Sequence, residues 1–317
     1  MNTDLQYGFL SQSEMDFPAM VVMEITNICN SECVHCPYKF ISKQKDYKPL
    51  HMSWELYKKV AEEVSAHKGV LFRFVCDGEP LMHPRFVNMI RFAKAKGIFP
   101  VNFITNGMLL NEELAKKVLD AGTDIVEISL DALTKATYDK IRNGSDFDLV
   151  TSNVHRFIEM RNKKKSRTKI FVSIIDQKEA EGELNQFVDY WSGRVDKVLT
   201  RVYTSIGGLV DEKKLKISCD GDRWPCPQLW RRIFINVDGF AEFCVEDWND
   251  ETIIGDVNRK SIKEIWDSPE YKKVREAHLL RNFEDVAYCN KCKDWKAREW
   301  SYDYFYAVEQ VLGENAK

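Results

Sequence analysis

The chain runs to 317 residues, 44% of them hydrophobic and 12% aromatic, which suffices for one large core or a large and a small one. Its 46 basic and 49 acidic residues are mixed along the chain and leave a formal charge of -3, so the basic footprint of a nucleic-acid or anionic-lipid binder is absent and a small-molecule substrate is expected. No apolar run reaches the length of a membrane span, and residues 1–17 are acidic and polar where a signal peptide is basic and then apolar; a cytoplasmic protein with no membrane partner is expected.

After an N-terminal extension over residues 1–19, short β-branched runs alternate with helical patterns from residue 20 to 203. Strands are expected at 20–24, 70–76, 101–105, 124–130, 169–175 and 195–203. Between them, residues 53–66 place Trp54, Tyr57, Val60, Ala61 and Val64 on one helical face, and 111–121 starts at a capping Asn111 and stops at Gly122. Further helices are expected at 84–96, 134–142, 147–163 and 180–191. Six such units suit an α/β fold built as a partial (β/α)6 TIM-like barrel better than a closed eight-stranded one. Residues 204–219, with Gly207-Gly208 and a lysine-rich stretch, read as a linker. Beyond it, residues 233–237 and 240–245 flank Asp238-Gly239, a hairpin signal, and Ser261-Ile262-Lys263-Glu264 is a capping box. A small C-terminal α+β domain is therefore expected over 220–295, then a helix at 297–312 within a last segment, 296–317. The aromatic residues of that end, Trp295, Trp300, Tyr302, Tyr304, Phe305 and Tyr306, read as a lid over the barrel mouth or as plain packing, and their helical spacing favours packing.

Nine cysteines in a reducing compartment point to metal rather than to disulfides, and seven of them fall into two groups. The first, Cys29-x3-Cys33-x2-Cys36, directly follows the first expected strand, so it lies at the C-terminal mouth of the barrel, where such folds carry their chemistry. Structural zinc takes four ligands and this asymmetric triad has no fourth nearby; three soft thiolates on one tight loop fit a cubane cluster with one iron left open. The second group is Cys226, Cys244, Cys289 and Cys292. By spacing alone, four thiolates in a small domain hold zinc about as readily as a cluster.

The triad, with His35 just before its third cysteine, resembles the signature of the radical S-adenosylmethionine superfamily, where that position is usually aromatic. Cys76-Asp77-Gly78-Glu79-Pro80 after the second strand is similar to the Gly-Glu-Pro segment of the same superfamily. The resemblance implies a 4Fe-4S cluster on Cys29, Cys33 and Cys36 that binds S-adenosyl-L-methionine at its open iron. It places Gly78 and Glu79 at the methionine amino group, His35 flat against the adenine with Tyr38 close by, Asn106 and Asp131 along the cosubstrate or substrate, and Ser129 at the ribose hydroxyls. Taken as residues alone, Asn106-Gly107 is a plain turn and Asp131 a helix cap. The segment from Cys226 through Gly239, Cys244, Asp247-Trp248 and Ile265-Trp266 to Cys289-x2-Cys292 resembles the SPASM or twitch region and implies an auxiliary 4Fe-4S cluster on those four cysteines. It lacks the extra cysteines of the two-cluster version and is similar to the single-cluster form found with aminocyclitol dehydrogenation.

The combined resemblance implies a radical oxidoreductase. A 5′-deoxyadenosyl radical removes hydrogen from a carbinol carbon of a sugar or aminocyclitol-like molecule, a base takes the hydroxyl proton, and the auxiliary cluster takes the second electron to give a ketone. Flavodoxin or ferredoxin is the implied reductant. Arg201 and Tyr203, ending the sixth strand, are candidates to orient or deprotonate the hydroxyl, although an arginine there also reads as a salt-bridge partner. Cys76 and Cys219 belong to neither group. Cys76 suits simple burial, whereas Cys219 lies on the polar stretch 218–222; the main alternative is a sugar or aminocyclitol epimerase, with Cys219 first and Cys76 second as the thiol that returns a hydrogen atom. Peptide modification is a further alternative; the 28 residues before Cys29 are fewer than a leader-recognition domain needs. A non-enzymatic iron-sulfur or zinc protein is the least favoured reading.

Overall fold

The β-branched and aromatic runs form the expected parallel strands: β1 Met20–Met23, β2 Leu71–Phe74, β3 Val101–Thr105, β4 Ile125–Ser129, β5 Lys169–Asp176 and β6 Lys197–Val202. They come from a computed structural model that describes residues 7–75, 77–217, 221–300 and 304–313. Alternation along each strand separates two cores. Val21, Met23, Phe72 and Phe74 point outward to the covering helices, while Met20, Val22, Leu71, Ile125, Phe171 and Leu199 point inward. The helices Trp54–Ser65, Phe86–Ala95, Glu112–Asp120, Lys135–Ile141, Phe147–Lys164 and Leu184–Trp191 close the outer layer. The first four of these except Phe86–Ala95 begin at a side chain that accepts a first-turn amide: Ser53, Asn111 and Thr134.

Three further strands extend the sheet: β7 Arg232–Ile235, β8 Phe240–Glu242 and β9 Ile253–Asp256. Among the described residues the order is β6-β5-β4-β3-β2-β1-β7-β8-β9, so β6 and β9 lie at opposite ends and the barrel stays open. The hairpin at Asp238-Gly239 forms as its turn residues require, but its first strand also pairs in parallel with β1, Met20 opposite Arg232 and Met23 opposite Ile235. The iron-sulfur region expected from the sequence thus grows out of the barrel sheet itself. β9 was not among the expected strands, because Ile-Ile-Gly-Asp is too short to show a period. Gly255 within it admits Ile265, whose Cγ1 lies 2.6 Å from where a Cβ would stand.

The expected linker is tied down: Asp294 accepts from Ser205 N at 2.6 Å, Ser205 Oγ at 2.9 Å and Gly207 N at 3.2 Å. The capping box at Ser261 and Glu264 is present in both directions. The last helix is shorter than expected, Tyr304–Leu312. Its Ala307 and Val308 fill the inner core, and the Arg73 guanidinium lies 3.7 Å from the centre of the Tyr304 ring. Trp295 is buried and Phe305 packs against the inner core, whereas Tyr304 also lines a cavity at the barrel mouth and Tyr306 is exposed; Tyr302 falls outside the described residues. Among those residues no helix is long and apolar enough to cross a membrane.

Phe72 is fully buried and meets Tyr57 and Phe74 at ring-centre distances of 6.1 and 4.9 Å. Phe72→Ala is expected to cost about 3–5 kcal/mol, read as a fall in the urea midpoint at unchanged slope.

Candidate active site

The loop that leaves β1 is fixed by backbone contacts before any cofactor is considered. Asn27 Nδ2 donates to Lys48 O at 2.9 Å and its Oδ1 accepts Leu50 N at 2.7 Å; Glu32 N and Val34 N donate to Asn143 O and Ile141 O at 2.7 and 2.9 Å. The loop after β2 lies directly on it. Glu79 N donates to Ile28 O at 2.8 Å, and a Cβ on Gly78 would stand 2.3 Å from Thr26 O. Only glycine permits that approach. Glu79 is buried, with Oε1 accepting Thr105 Oγ1 at 2.7 Å and Leu81 N at 3.2 Å and Oε2 accepting Asn106 N at 2.8 Å. Its carboxylate therefore ties the β2 loop to the β3 loop.

Cys29, Cys33 and Cys36 line a cavity of about 380 Å³ at the C-terminal ends of the strands, together with His35, Gly78, Glu79, Asn106, Ser129, Asp131 and Arg201. Two candidates face elsewhere. Tyr38 opens the short helix Tyr38–Ile41 and packs edge-on against Tyr47, in a neighbouring cavity. Tyr203 is buried and donates to Asp211 O at 3.3 Å, in an adjoining cavity that shares His35 and Arg201. Cys76 and Cys219 lie outside the described residues.

Asn106 is both the turn and part of the lining: its Oδ1 accepts Met108 N at 3.0 Å and its Nδ2 donates to Asn30 Oδ1 at 2.7 Å. Asp131 caps no helix, since Thr134 does that. It pairs with Arg142 through Nε at 2.8 Å and through Nη2, and its Oδ1 accepts Ile175 N at 2.9 Å. Burial pushes the Asp131 carboxyl up, but the charge of Arg142 and the hydrogen bonds from Arg142 and Ile175 N outweigh it and hold it below the usual carboxylate range. Such a group positions its neighbours and accepts protons poorly. His35 Nε2 is 3.7 Å from Asp131 and its Nδ1 is 3.4 Å from Gln177 Nε2; burial lowers its pKa to about 4, so the ring is neutral at pH 7. Arg201 is held by Glu127, which also accepts Arg73 Nη2 at 3.1 Å.

Arg142, Arg232, Glu246 and Arg298 also line this cavity, Gln177 reaches it only through His35, and all five escaped the reading of the sequence. Arg142 Nη1 lies 3.6 Å from Cys33 Sγ. Nothing local marks it; it arrives because the cysteine loop docks on the end of the helix Lys135–Ile141.

Cys226, Cys244, Cys289 and Cys292 line one second cavity. Cys226 N donates to His278 Nδ1 at 3.2 Å, and Cys292 N to Cys289 O at 3.0 Å. Glu246 and Arg298, an ion pair, line both this cavity and the barrel cavity. All seven grouped cysteines are free thiols. Burial pushes Cys29 and Cys292 up to about 12 and Cys36, Cys226, Cys244 and Cys289 upward as well, so they become thiolates only with a strong cationic centre among them. Among the described residues no group of His, Cys, Asp and Glu is arranged to hold a single metal ion. All-sulfur donors ringed around two cavities fit iron-sulfur clusters. Gly78→Ala is expected to force the β2 loop off Thr26 and Ile28 and to lower S-adenosylmethionine cleavage at least tenfold, while far-ultraviolet dichroism stays unchanged; production of 5′-deoxyadenosine measures it.

The chain is 34% identical over 117 residues to a tungsten-containing aldehyde ferredoxin oxidoreductase cofactor-modifying protein of Pyrococcus furiosus, which covers 36% of this chain and 31% of that one. It is 32% identical over 137 residues to the mycofactocin maturase MftC of Mycobacterium tuberculosis, covering 43% of this chain and 33% of the other. It therefore spans about a third of the length of these curated relatives. In fold it is similar to the crystal structure of BtrN in complex with AdoMet and 2-DOIA, with TM-score 0.62 at 18% identity over 90% of this chain and 97% of that one. It is also similar to Streptococcus suis SuiB bound to precursor peptide SuiA, with TM-score 0.68 at 14% identity over 82% and 67%. Residues 210–293 match the iron-sulfur cluster-binding SPASM domain, which brings an auxiliary iron-sulfur cluster, and residues 23–187 match the Radical SAM superfamily, which brings S-adenosylmethionine and a 4Fe-4S cluster. With just over half of its length in that second match, lying over the open barrel and its cysteine loop, the chain belongs to the radical S-adenosylmethionine superfamily.

Proposed function

We propose that the protein is a radical S-adenosylmethionine oxidoreductase that converts a carbinol of a small sugar- or aminocyclitol-like molecule into a ketone. The observation that carries this reading is the wall shared by the two cysteine-lined cavities, Glu246 and Arg298. When bound, S-adenosylmethionine and the two clusters supply the radical that removes the carbinol hydrogen and an acceptor for the electron that leaves afterwards. The likeness to BtrN, whose structure holds AdoMet and 2-DOIA, supports the substrate class.

In this reading Cys29, Cys33 and Cys36 hold the first cluster and leave one iron open, and the other four cysteines close the second. Arg142, with Nη1 3.6 Å from Cys33 Sγ, places positive charge beside that ligand. The neutral His35 ring, oriented by Gln177 and Asp131, offers a flat uncharged face to the adenine. Ser129, whose hydroxyl takes no protein partner among the described residues, meets the ribose. Arg232 and Arg298 place positive charge near Cys226 and offset the negative charge that thiolate ligands give a cluster. Arg201, fixed by Glu127, stays charged and orients the hydroxyl as a donor. Glu246 is the better proton acceptor: it lines the barrel cavity, and burial raises its carboxyl despite the charge of Arg298.

A second reading, modification of a peptide, draws on the likeness to SuiB, whose structure holds the precursor peptide SuiA. Anaerobic reconstituted protein with dithionite, S-adenosylmethionine and a panel of aminocyclitols in deuterium oxide separates them. The expected result is 5′-deoxyadenosine together with a ketone about two mass units lighter than the alcohol and free of solvent deuterium. An alcohol of unchanged skeleton carrying one deuteron overturns oxidation in favour of epimerisation, and turnover only with peptides overturns the small-molecule class. In parallel, the Cys29→Ala, Cys33→Ala, Cys36→Ala variant is expected to keep about half of the wild-type iron, each cluster being a four-iron one.

A further inference from the structure

The neighbouring cavity that Tyr38 lines, of about 300 Å³, opens beside the barrel cavity at the C-terminal ends of β1 and β7. Seven acidic residues and one lysine, Lys48, line it. Glu24 comes from the end of β1, Asp77 from the loop after β2, Glu242 from β8, and Asp247 and Asp250 from the turn after it. Their donors are neutral. Glu24 Oε2 accepts Val237 N at 2.8 Å, Glu242 Oε1 accepts Asn236 Nδ2 at 3.0 Å, Asp250 Oδ1 accepts the same Asn236 Nδ2 at 3.3 Å, and Asp247 accepts Asn249 N at 2.9 Å and Thr252 N at 2.5 Å. Among the described residues none of these five carboxylates forms an ion pair with a lysine, arginine or histidine. Glu24 and Glu242 are 4% and 2% exposed, and among the described residues Glu24 Oε1 and Glu242 Oε2 have no donor. Buried acceptors left open in this way are costly unless a donor comes from outside.

The resident cofactors do not supply that donor, for none of the seven grouped cysteines lines this cavity. Among the described residues no set of these side chains is arranged to hold a single metal ion. The wall instead mixes carboxylates with Trp248, Tyr38 and Tyr47, the combination that receives an alkylammonium or guanidinium through charge, hydrogen bonds and ring faces. Asp77 and Trp248 also line the barrel cavity, so one molecule can occupy both. We propose that this cleft is the subsite for a protonated amine or guanidinium of the substrate, held by Glu24 and Glu242, with the reacting carbon reaching past Asp77 into the barrel cavity. The assignment rests on the reading of the barrel cavity as the place of oxidation.

The test is calorimetric titration of the protein loaded with both clusters and S-adenosylmethionine, using 2-deoxystreptamine, myo-inositol, a short lysine-containing peptide and magnesium chloride as probes. 2-Deoxystreptamine is expected to bind at least about tenfold more tightly than the uncharged myo-inositol, and the Glu24→Gln, Glu242→Gln variant to lose that preference at unchanged iron content and melting midpoint. Equal affinity for the two ring compounds, an unchanged preference in the variant, or displacement of the amine by equimolar magnesium would overturn the assignment. Binding of the amine, or of the lysine peptide, in a charge-dependent way without ketone formation leaves the cleft standing and removes the proposed oxidation. Ketone formation from neutral polyols with no amine preference does the reverse.

Discussion

The pairing of β1 with β7 is the constraint on which the rest of the molecule depends. One strand leads into the loop of Cys29, Cys33 and Cys36; the other emerges just after Cys226 and turns through β8 to Cys244. Because backbone hydrogen bonds hold these strands in a single register, the two thiol groups stand at a fixed relation without a hinge between them. Two cysteine-lined cavities with a common wall, Glu246 and Arg298, are the consequence. A pair of domains joined by a loose linker would have no reason to keep that wall, and the stretch after β6 is itself held by Asp294.

Charge is distributed around this frame with a clear division. Two buried carboxylates in the barrel are matched by arginines, Glu127 by Arg73 and Arg201 and Asp131 by Arg142. Each match leaves the partner fixed in place, which costs desolvation and returns orientation. Around Cys226 the arginines exceed the carboxylates, as suits thiolate-bound iron. In the cleft near Glu24 and Glu242 the balance reverses, and among the described residues no lysine, arginine or histidine pairs with either carboxylate. The two imbalances face different occupants, a cofactor in one case and a ligand that comes and goes in the other.

Local signals carried much of the architecture. The β-branched runs gave the six barrel strands to within a few residues, and Asn111 and Ser261 marked helix starts by chemistry that depends only on near neighbours. The triad and the Gly78-Glu79 segment were legible because each needs particular residue types at fixed spacing, and the structure brings them into one cavity. Strand order was not legible: nothing in Arg232–Ile235 announces a parallel partner 212 residues away in sequence, at Met20. Arg142 and Gln177 were missed for the same reason, being placed by tertiary docking. Tyr38 shows the opposite failure, where closeness to the triad in sequence says nothing of side-chain direction once a helix begins at that residue.

The central claim is that this sheet carries two clusters of unlike coordination, one open to S-adenosylmethionine and one closed by four cysteines. Electron paramagnetic resonance of the dithionite-reduced protein, with and without S-adenosylmethionine, addresses it directly. The account predicts two overlapping signals, of which one shifts on adding S-adenosylmethionine and is absent from the variant lacking Cys29, Cys33 and Cys36, while the other is unchanged in both. A single signal that disappears with those three cysteines, or two signals that both shift, would contradict it.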